Sequence, residues 1–263
     1  MFKVSAGRGI HQHWSEIIAH QISEMVGFNT ARCFIAIDSD RGEVGIISEF
    51  FYGYPNGTVF PRIKSGADAL RQLVPEFDSD PDEHHTMHNI AIVCRAHGIS
   101  GWRNYWAATL AFDALIGNTD RHSENWAILA ATTASGARLS YQLSPSFDHG
   151  TSLGYLIREQ DLRSAMALDN MTRFIKRGRQ LIRVGAPRAT GHFEACSIYE
   201  HRYPQTKPAM LKTIDISGAA IDQLMDQLCR FDLPAGKLTE ARAQFLVCLI
   251  GERQRAVAEA LGE

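Results

Sequence analysis

Gly117-Asn118-Thr119-Asp120-Arg121-His122-Ser123-Glu124-Asn125, followed 23 residues after its asparagine by Asp148-His149-Gly150, is the stretch on which the reading of this chain turns. An enzyme that moves a phosphoryl group must orient an attacking hydroxyl and hold Mg²⁺ against the phosphates, so an acidic residue, an amide oxygen and a second carboxylate have to converge. Asp120, Asn125 and Asp148 supply those groups in that order.

The spacing narrows the reading. Asn125 follows Asp120 by five residues, the separation of catalytic-loop Asp and metal-binding Asn in kinases. After Asn125 comes the apolar run Trp-Ala-Ile-Leu-Ala-Ala, and Leu139 to Leu143 alternates in polarity after a polar, Gly-containing connection. This predicts a hairpin whose return strand delivers Asp148 beside Asn125. A lone Asp and Asn at this spacing is more often a turn or cap; the hairpin and the third residue carry the inference.

The run 112–126, Phe-Asp-Ala-Leu-Ile-Gly-Asn-Thr-Asp-Arg-His-Ser-Glu-Asn-Trp, together with 143–154, Leu-Ser-Pro-Ser-Phe-Asp-His-Gly-Thr-Ser-Leu-Gly, resembles the C-terminal kinase domain of HipA-like proteins. These are bacterial serine/threonine protein kinases, often toxins of toxin–antitoxin pairs. The same core is similar to phosphatidylinositol kinases, whose loops carry Asp-Arg-His-x-x-Asn and an Asp-x-Gly triplet. The Ser-Pro-Ser-Phe-Asp-His-Gly wording favours the HipA-like side. The resemblance implies ATP and Mg²⁺ as cofactors, Asp120 as the group that orients or deprotonates the acceptor hydroxyl, Asn125 and Asp148 as metal ligands, and His122 as a hydrogen-bonded brace of the loop.

A kinase also needs a strand lysine at the phosphates and a helix glutamate to hold it. Phe2-Lys3-Val4 is strand-like, and a helical pattern beginning near Gln12 repeats Ile17, Ile18, Ile22, Met25 and Val26 at three and four. Glu16 is expected in the first turn, where it would also complement the helix dipole. The family's x-Glu-x-x-Ala segment matches Ser15-Glu16-Ile17-Ile18-Ala19, so Lys3 and Glu16 are the candidate ion pair. Strands are expected at 32–37 and 44–50 around the turn 38–42. The resemblance makes the end of the second a hinge, with Glu49, Phe50 and Phe51 at the nucleotide.

One feature departs from the family pattern: the glycine-rich loop and its strands precede the lysine strand in kinases, whereas Lys3 is the third residue here. A fragment, a start site placed too late and a degenerate kinase acting as a binding protein are the readings this leaves open. The expected architecture is α+β, a protein kinase-like two-lobe fold with a reduced β-rich small lobe at 1–54 and a mainly helical large lobe at 55–263.

The rest bounds partners and compartment. With 263 residues, 45% hydrophobic content and a formal charge of −2, the chain can bury a sizeable core and has no general preference for nucleic acid or anionic membrane. Five cysteines without close pairs suggest neither a disulfide framework nor a thiolate knuckle. No run approaches the roughly 18 apolar residues of a membrane span, and no secretion signal is apparent, so a cytoplasmic protein is expected. The resemblance implies a protein substrate, with aminoacyl-tRNA synthetases the class phosphorylated by known members, and a small DNA-binding antitoxin as partner; the chain itself carries no helix-turn-helix signature.

Beyond residue 54 the pattern predicts a mixed segment punctuated by Pro55-Asn56-Gly57, Pro61, Pro75 and the acidic run 78–83, a short helix at 67–73, then helices at 87–97 and 102–116. His84, His85 and His88 beside the acidic run read as solvated rather than metal-binding. Residues 155–193 would hold an activation or substrate-binding segment, in which Arg173, Lys176, Arg177, Arg179, Arg183 and Arg188 form either an anion-binding surface or a solvated face. Ile221, Leu224, Leu228, then Leu238, Phe245 and Leu249 predict two closing helices. His192-Phe193-Glu194 has no chemical assignment.

Overall fold

A computed structural model describes the chain except for residues 1, 6, 55–58, 79–83, 134–137 and 186–187. The turn Pro55-Asn56-Gly57, most of the acidic run and the centre of the hairpin connection therefore lie outside the described residues. Two small antiparallel sheets, ten α-helices and three short 3-10 helices make up the regular structure among the described residues.

The first sheet has the order β1-β3-β2, with β1 at Phe2–Val4, β2 at Cys33–Asp38 and β3 at Glu43–Ser48. Lys3 pairs with Ile46, and Cys33 with Ser48. Because strand side chains alternate between faces, these four share one face of the sheet. Phe2, Ile47 and Phe34 lie in one cross-strand row on the other face and are exposed.

Helix α1, Gln12–Val26, packs against β2 and β3 and also meets α8, Lys207–Ile214. Its apolar stripe of Ile17, Ile18, Ile22 and Val26 is buried. It stops at Gly27, whose φ of +68° places it in the left-handed region that ends helices cheaply with glycine. Glu16 is the fifth residue of α1 and so lies in its second turn, not its first. The dipole role considered for it therefore lapses, because that effect fades beyond the first turn.

The second sheet has the order β4-β5-β6, with β4 at Val59–Ser65, β5 at Ala127–Thr133 and β6 at Arg138–Leu143. The expected hairpin is the pair β5 and β6. β4 is a strand that the sequence reading left within a mixed segment, because Pro61 counts against a strand interior. The sheet order resolves the conflict: β4 is an edge strand, where proline is admitted.

Around these sheets lie α2 (Gly66–Leu73), α3 (Met87–Ala96), α4 (Trp102–Ile116), α5 (Leu162–Ala165), α6 (Leu168–Arg177), α7 (His192–Arg202), α9 (Gly218–Cys229) and α10 (Glu240–Ala260). Hydroxyls of Ser65, Thr86, Ser217 and Thr239 cap α2, α3, α9 and α10 by accepting backbone N–H bonds. α4 is the central helix: α7, α8 and α10 pack on it, and its residues 109–116 are all buried. His85 is also buried, accepting from the Trp126 Nε1–H at 3.1 Å and stacked on that indole. The expectation of a solvated histidine is thus corrected there, since the following helix carries the chain inward. No helix among the described residues is long and apolar enough to cross a membrane.

Candidate active site

Lys3 is the junction of the site. Its Nζ donates to Asp148 Oδ1 at 2.7 Å and lies 3.7 Å from Glu16 Oε1. Glu16 Oε2 in turn accepts the His149 N–H at 2.9 Å, so strand β1, helix α1 and the Asp-His-Gly turn meet through three side chains. Both Glu16 and Lys3 are raised, which favours the neutral form of the acid and the charged form of the lysine. Burial pushes Glu16 up to about 7, with Asp148's charge adding to it and His149 N–H and Lys3 opposing. Burial would lower Lys3, but the bond and charge of Asp148, then Glu16 and Asp120, leave it raised. The 2.7 Å contact is the one that fixes Lys3.

Asp148 has a φ of +58°. Aspartate tolerates the left-handed region better than most residues, and such a conformation persists only where the surroundings hold it. Arg121 does much of the holding. One of its nitrogens, Nη1, donates to the carbonyls of Asn125 at 2.8 Å and Phe147 at 2.9 Å. A single guanidinium therefore ties the loop 120–125 to the residue before Asp148.

Arg121 is itself clamped. Nη2 and Nε donate to the two oxygens of Asp113 at 2.7 and 3.0 Å, while Asn118 and Gln180 amides donate to the same carboxylate at 3.1 and 3.3 Å. Both charged residues are almost fully buried. The sequence reading assigned neither of them a role. Asp113 did carry a signal, being an acid inside a strongly apolar helix, where a carboxylate is rarely buried unless paired.

The remaining loop residues are placed around this brace. The Asp120 N–H donates to Asn118 Oδ1 at 3.0 Å, and its carboxylate is 42% exposed, open to an incoming group. Asn125 Nδ2 donates to the Asp120 carbonyl at 2.7 Å. Because that partner is a carbonyl, the amide nitrogen must face it, which turns Asn125 Oδ1 away as an available ligand. His122 Nε2 stands 4.0 Å from Asp120 Oδ1, and its Nδ1 accepts the Glu124 N–H at 3.2 Å. Most of the bracing attributed to His122 from the sequence is made by Arg121.

A cavity of about 440 Å³ opens beside Lys3, Glu16 and Asp148, walled by Ile46, Ser48 and Phe147. Cys33 completes the wall, its thiol bonded to the Glu16 carbonyl and pushed up to about 12 by burial, hence unreactive. Strand β3 touches the cavity through Ile46 and Ser48; Glu49, Phe50 and Phe51 do not line it. Glu49 turns to Arg32, Phe50 is exposed, and Phe51 reaches the site only through its ring contact with Phe147 at 5.8 Å.

This is the architecture of a protein kinase-like fold: a small sheet and α1 first, then a mainly helical remainder that carries the second sheet, with a lysine, a glutamate and an aspartate meeting beside the cavity. No protein-family model and no curated protein matches the chain. Among solved structures the chain is similar to the Helicobacter pylori proinflammatory kinase CtkA, with a TM-score of 0.70 and 16% identity over 100% of this chain and 90% of that one. It is also similar to HipA of Shewanella oneidensis MR-1, seen in a toxin–antitoxin complex with HipB and operator DNA, with a TM-score of 0.59 and 14% identity. That match covers 96% of this chain and 56% of the HipA chain.

Proposed function

We propose that the chain is an ATP- and Mg²⁺-dependent phosphotransferase that acts on serine or threonine hydroxyls of a protein. The observation that carries this reading is the placement of Lys3 between Asp148 and Glu16 at the mouth of a 440 Å³ cavity, with Arg121 pinning Asn125 and Phe147 together.

The residues present fit the cofactors. Magnesium is ordinarily held by one or two side-chain oxygens, with phosphates and water completing its shell. Asp148 and Asn125 Oδ1 are that share, and no larger cluster of His, Cys, Asp or Glu suited to a metal occurs among the described residues. Bound Mg²⁺-ATP supplies the transferable phosphoryl group and the charge neutralisation that its transfer requires. Lys3 would exchange its bond to Asp148 for the phosphate oxygens while Glu16 keeps it oriented. Asp120, half-exposed and fixed through its backbone, accepts the proton of the acceptor hydroxyl as that oxygen attacks. The contribution of the chain is positioning and electrostatics, since the rigid Arg121 brace keeps both metal-ligand positions at a set separation.

Calorimetry with ATP and Mg²⁺ tests this on the wild type and on Asp148→Ala. Binding that the substitution abolishes supports the reading. Absence of binding by well-folded wild type sinks it and leaves a binding protein built on a kinase-like fold.

The similarity to HipA motivates a finer reading, that of a growth-arresting toxin whose substrate is an aminoacyl-tRNA synthetase and whose partner is an antitoxin. Cells expressing the wild type should then grow more slowly than cells expressing Asp120→Ala, and equal growth would count against toxicity.

A further inference from the structure

Three arginines are buried among the described residues: Arg121, Arg242 and Arg253. Two of them have a carboxylate. Arg121 is clamped to Asp113, and Arg242 Nε donates to Glu159 at 2.6 Å. Arg253, on α10, is 3% exposed and has none: its guanidinium makes one hydrogen bond, to the Ala114 carbonyl at 3.0 Å, and its Nε has no partner. Burial alone drags it down to about 10. A buried cation without a counter-charge is strongly unfavourable, so its retention calls for an anion.

The surroundings offer one a place. Arg253 forms part of the wall of a cavity of about 340 Å³, together with Thr119, Thr151, Leu156, Phe174 and Arg177. Thr119 is the neighbour of Asp120 in the catalytic loop, so the cavity opens beside the attacking position. Arg177 stands exposed at its rim with no acidic partner among the described residues. Gly117 makes room for the buried guanidinium, because a Cβ there would fall 2.5 Å from Arg253 Cζ, and its φ of +70° also favours glycine. Arg179 adds to the positive character, whereas His192 stays neutral, since burial and then the charges of Arg253 and Arg179 push it down to about 3.

A second cavity of about 460 Å³ shares Leu156, Phe174 and Arg177 and runs on to Arg173 and to Arg158, the latter already paired with Asp161 at 2.7 Å. The two adjoin through these shared residues and together present apolar side chains beside Arg177, Arg253 and Arg173, a lining that suits a polypeptide better than a compact head group.

We propose that the acceptor is a polypeptide bearing a phosphorylated serine or threonine, or an acidic side chain as its weaker counterpart, whose anion docks on Arg253 and Arg177 while the hydroxyl to be modified reaches Asp120. The proposal rests on the phosphotransferase reading above and names its substrate class. Paired guanidiniums with nearby hydroxyls are the donors that a phosphate monoester takes best.

Fluorescence anisotropy tests it without turnover, so its failure is separable from a failure of catalysis or of ATP binding. The probes are a fluorescein-labelled degenerate peptide mixture with one fixed phosphoserine and the same mixture with serine in its place. Wild type should bind the phosphoserine mixture at least about tenfold more tightly. Arg177→Ala, at an exposed position that leaves folding intact, and Arg253→Met should abolish that preference, while Lys3→Met, altered only in the nucleotide cavity, should keep it. Equal binding of both mixtures overturns the proposal. So does a preference that survives Arg177→Ala or is lost in Lys3→Met, and so does Arg177-dependent binding to vesicles containing phosphatidylinositol phosphate with no binding to either peptide mixture.

Discussion

The molecule contains two cation–carboxylate centres around one candidate site, and they are built in opposite ways. Lys3 with Asp148 is open, with side chains 39% and 36% exposed, while Arg121 with Asp113 is closed, at 1% and 0%. The open pair has one bond and a longer second contact to Glu16; the closed pair has two bonds, and further amides saturate the same carboxylate. A pair that must exchange partners with a ligand has to remain wet and weakly committed. A pair that fixes geometry is better dry and fully bonded, because removing either partner then leaves a stranded charge.

Predictions follow from that contrast in order of size. Asp120→Ala should lower phosphoryl transfer by about 10²–10⁴-fold, the usual worth of a positioned proton acceptor, with an unchanged unfolding midpoint. Activity retained in the folded variant would remove Asp120 from the mechanism. Arg121→Ala should instead act on the fold, costing roughly 3–5 kcal/mol in urea denaturation. Arg121→Lys should recover little of it, because an ammonium cannot reproduce the bidentate fork. A stability near wild type in Arg121→Ala would mean that the closed centre is not a brace at all.

Acid should separate buried structural groups from the site. Burial lowers His13 to about 4 and His192 to about 3, so between these values and about 6.5 the unfolded chain binds protons that the folded chain refuses. Each histidine therefore contributes stability that is lost as pH falls through that window, by about 1.4 kcal/mol per pH unit. His192→Gln should flatten the slope. Glu16 works in reverse: its folded value near 7 exceeds that of a free carboxyl, so its contribution is present at about pH 4 and is lost as pH rises towards 7. Glu16→Gln should steepen the net rise of stability with pH, and identical slopes in the variant and wild type would contradict the burial of that carboxyl.

The smallest effect belongs to the open pair. Lys3→Met should change stability by under about 1 kcal/mol, as expected of a pair this exposed, while weakening Mg²⁺-dependent ATP binding. A large loss of stability would show that Lys3 is structural and that the two centres are less different than their exposure suggests.

The local elements were legible wherever pattern and packing agreed. α4 spans the residues its apolar run predicts, and α1 follows its three-and-four spacing, because both helices bury the stripe that defines them, with only Met25 of the expected α1 stripe left exposed. β4 was missed because proline spoke against it, and only the neighbouring strands reveal that it lies on an edge. The basic run 173–188 likewise divides in space: Arg177 belongs to the cavity floored by Arg253, whereas Arg183 lines another beside Arg202. Linear charge spacing carries no record of that partition.

The sequence by itself singled out Asp120, Asn125 and Asp148 as candidates, since residue type and short spacing are local facts. Only the tertiary structure decided that Arg121, silent in the motif, would join Asn125 to Phe147, and that Arg253, 132 residues further along the chain, would be buried beside Gly117 without a counter-ion. Those contacts depend on which helices pack on α4. That is set by the complementarity of distant apolar faces, and no local window of the chain contains it.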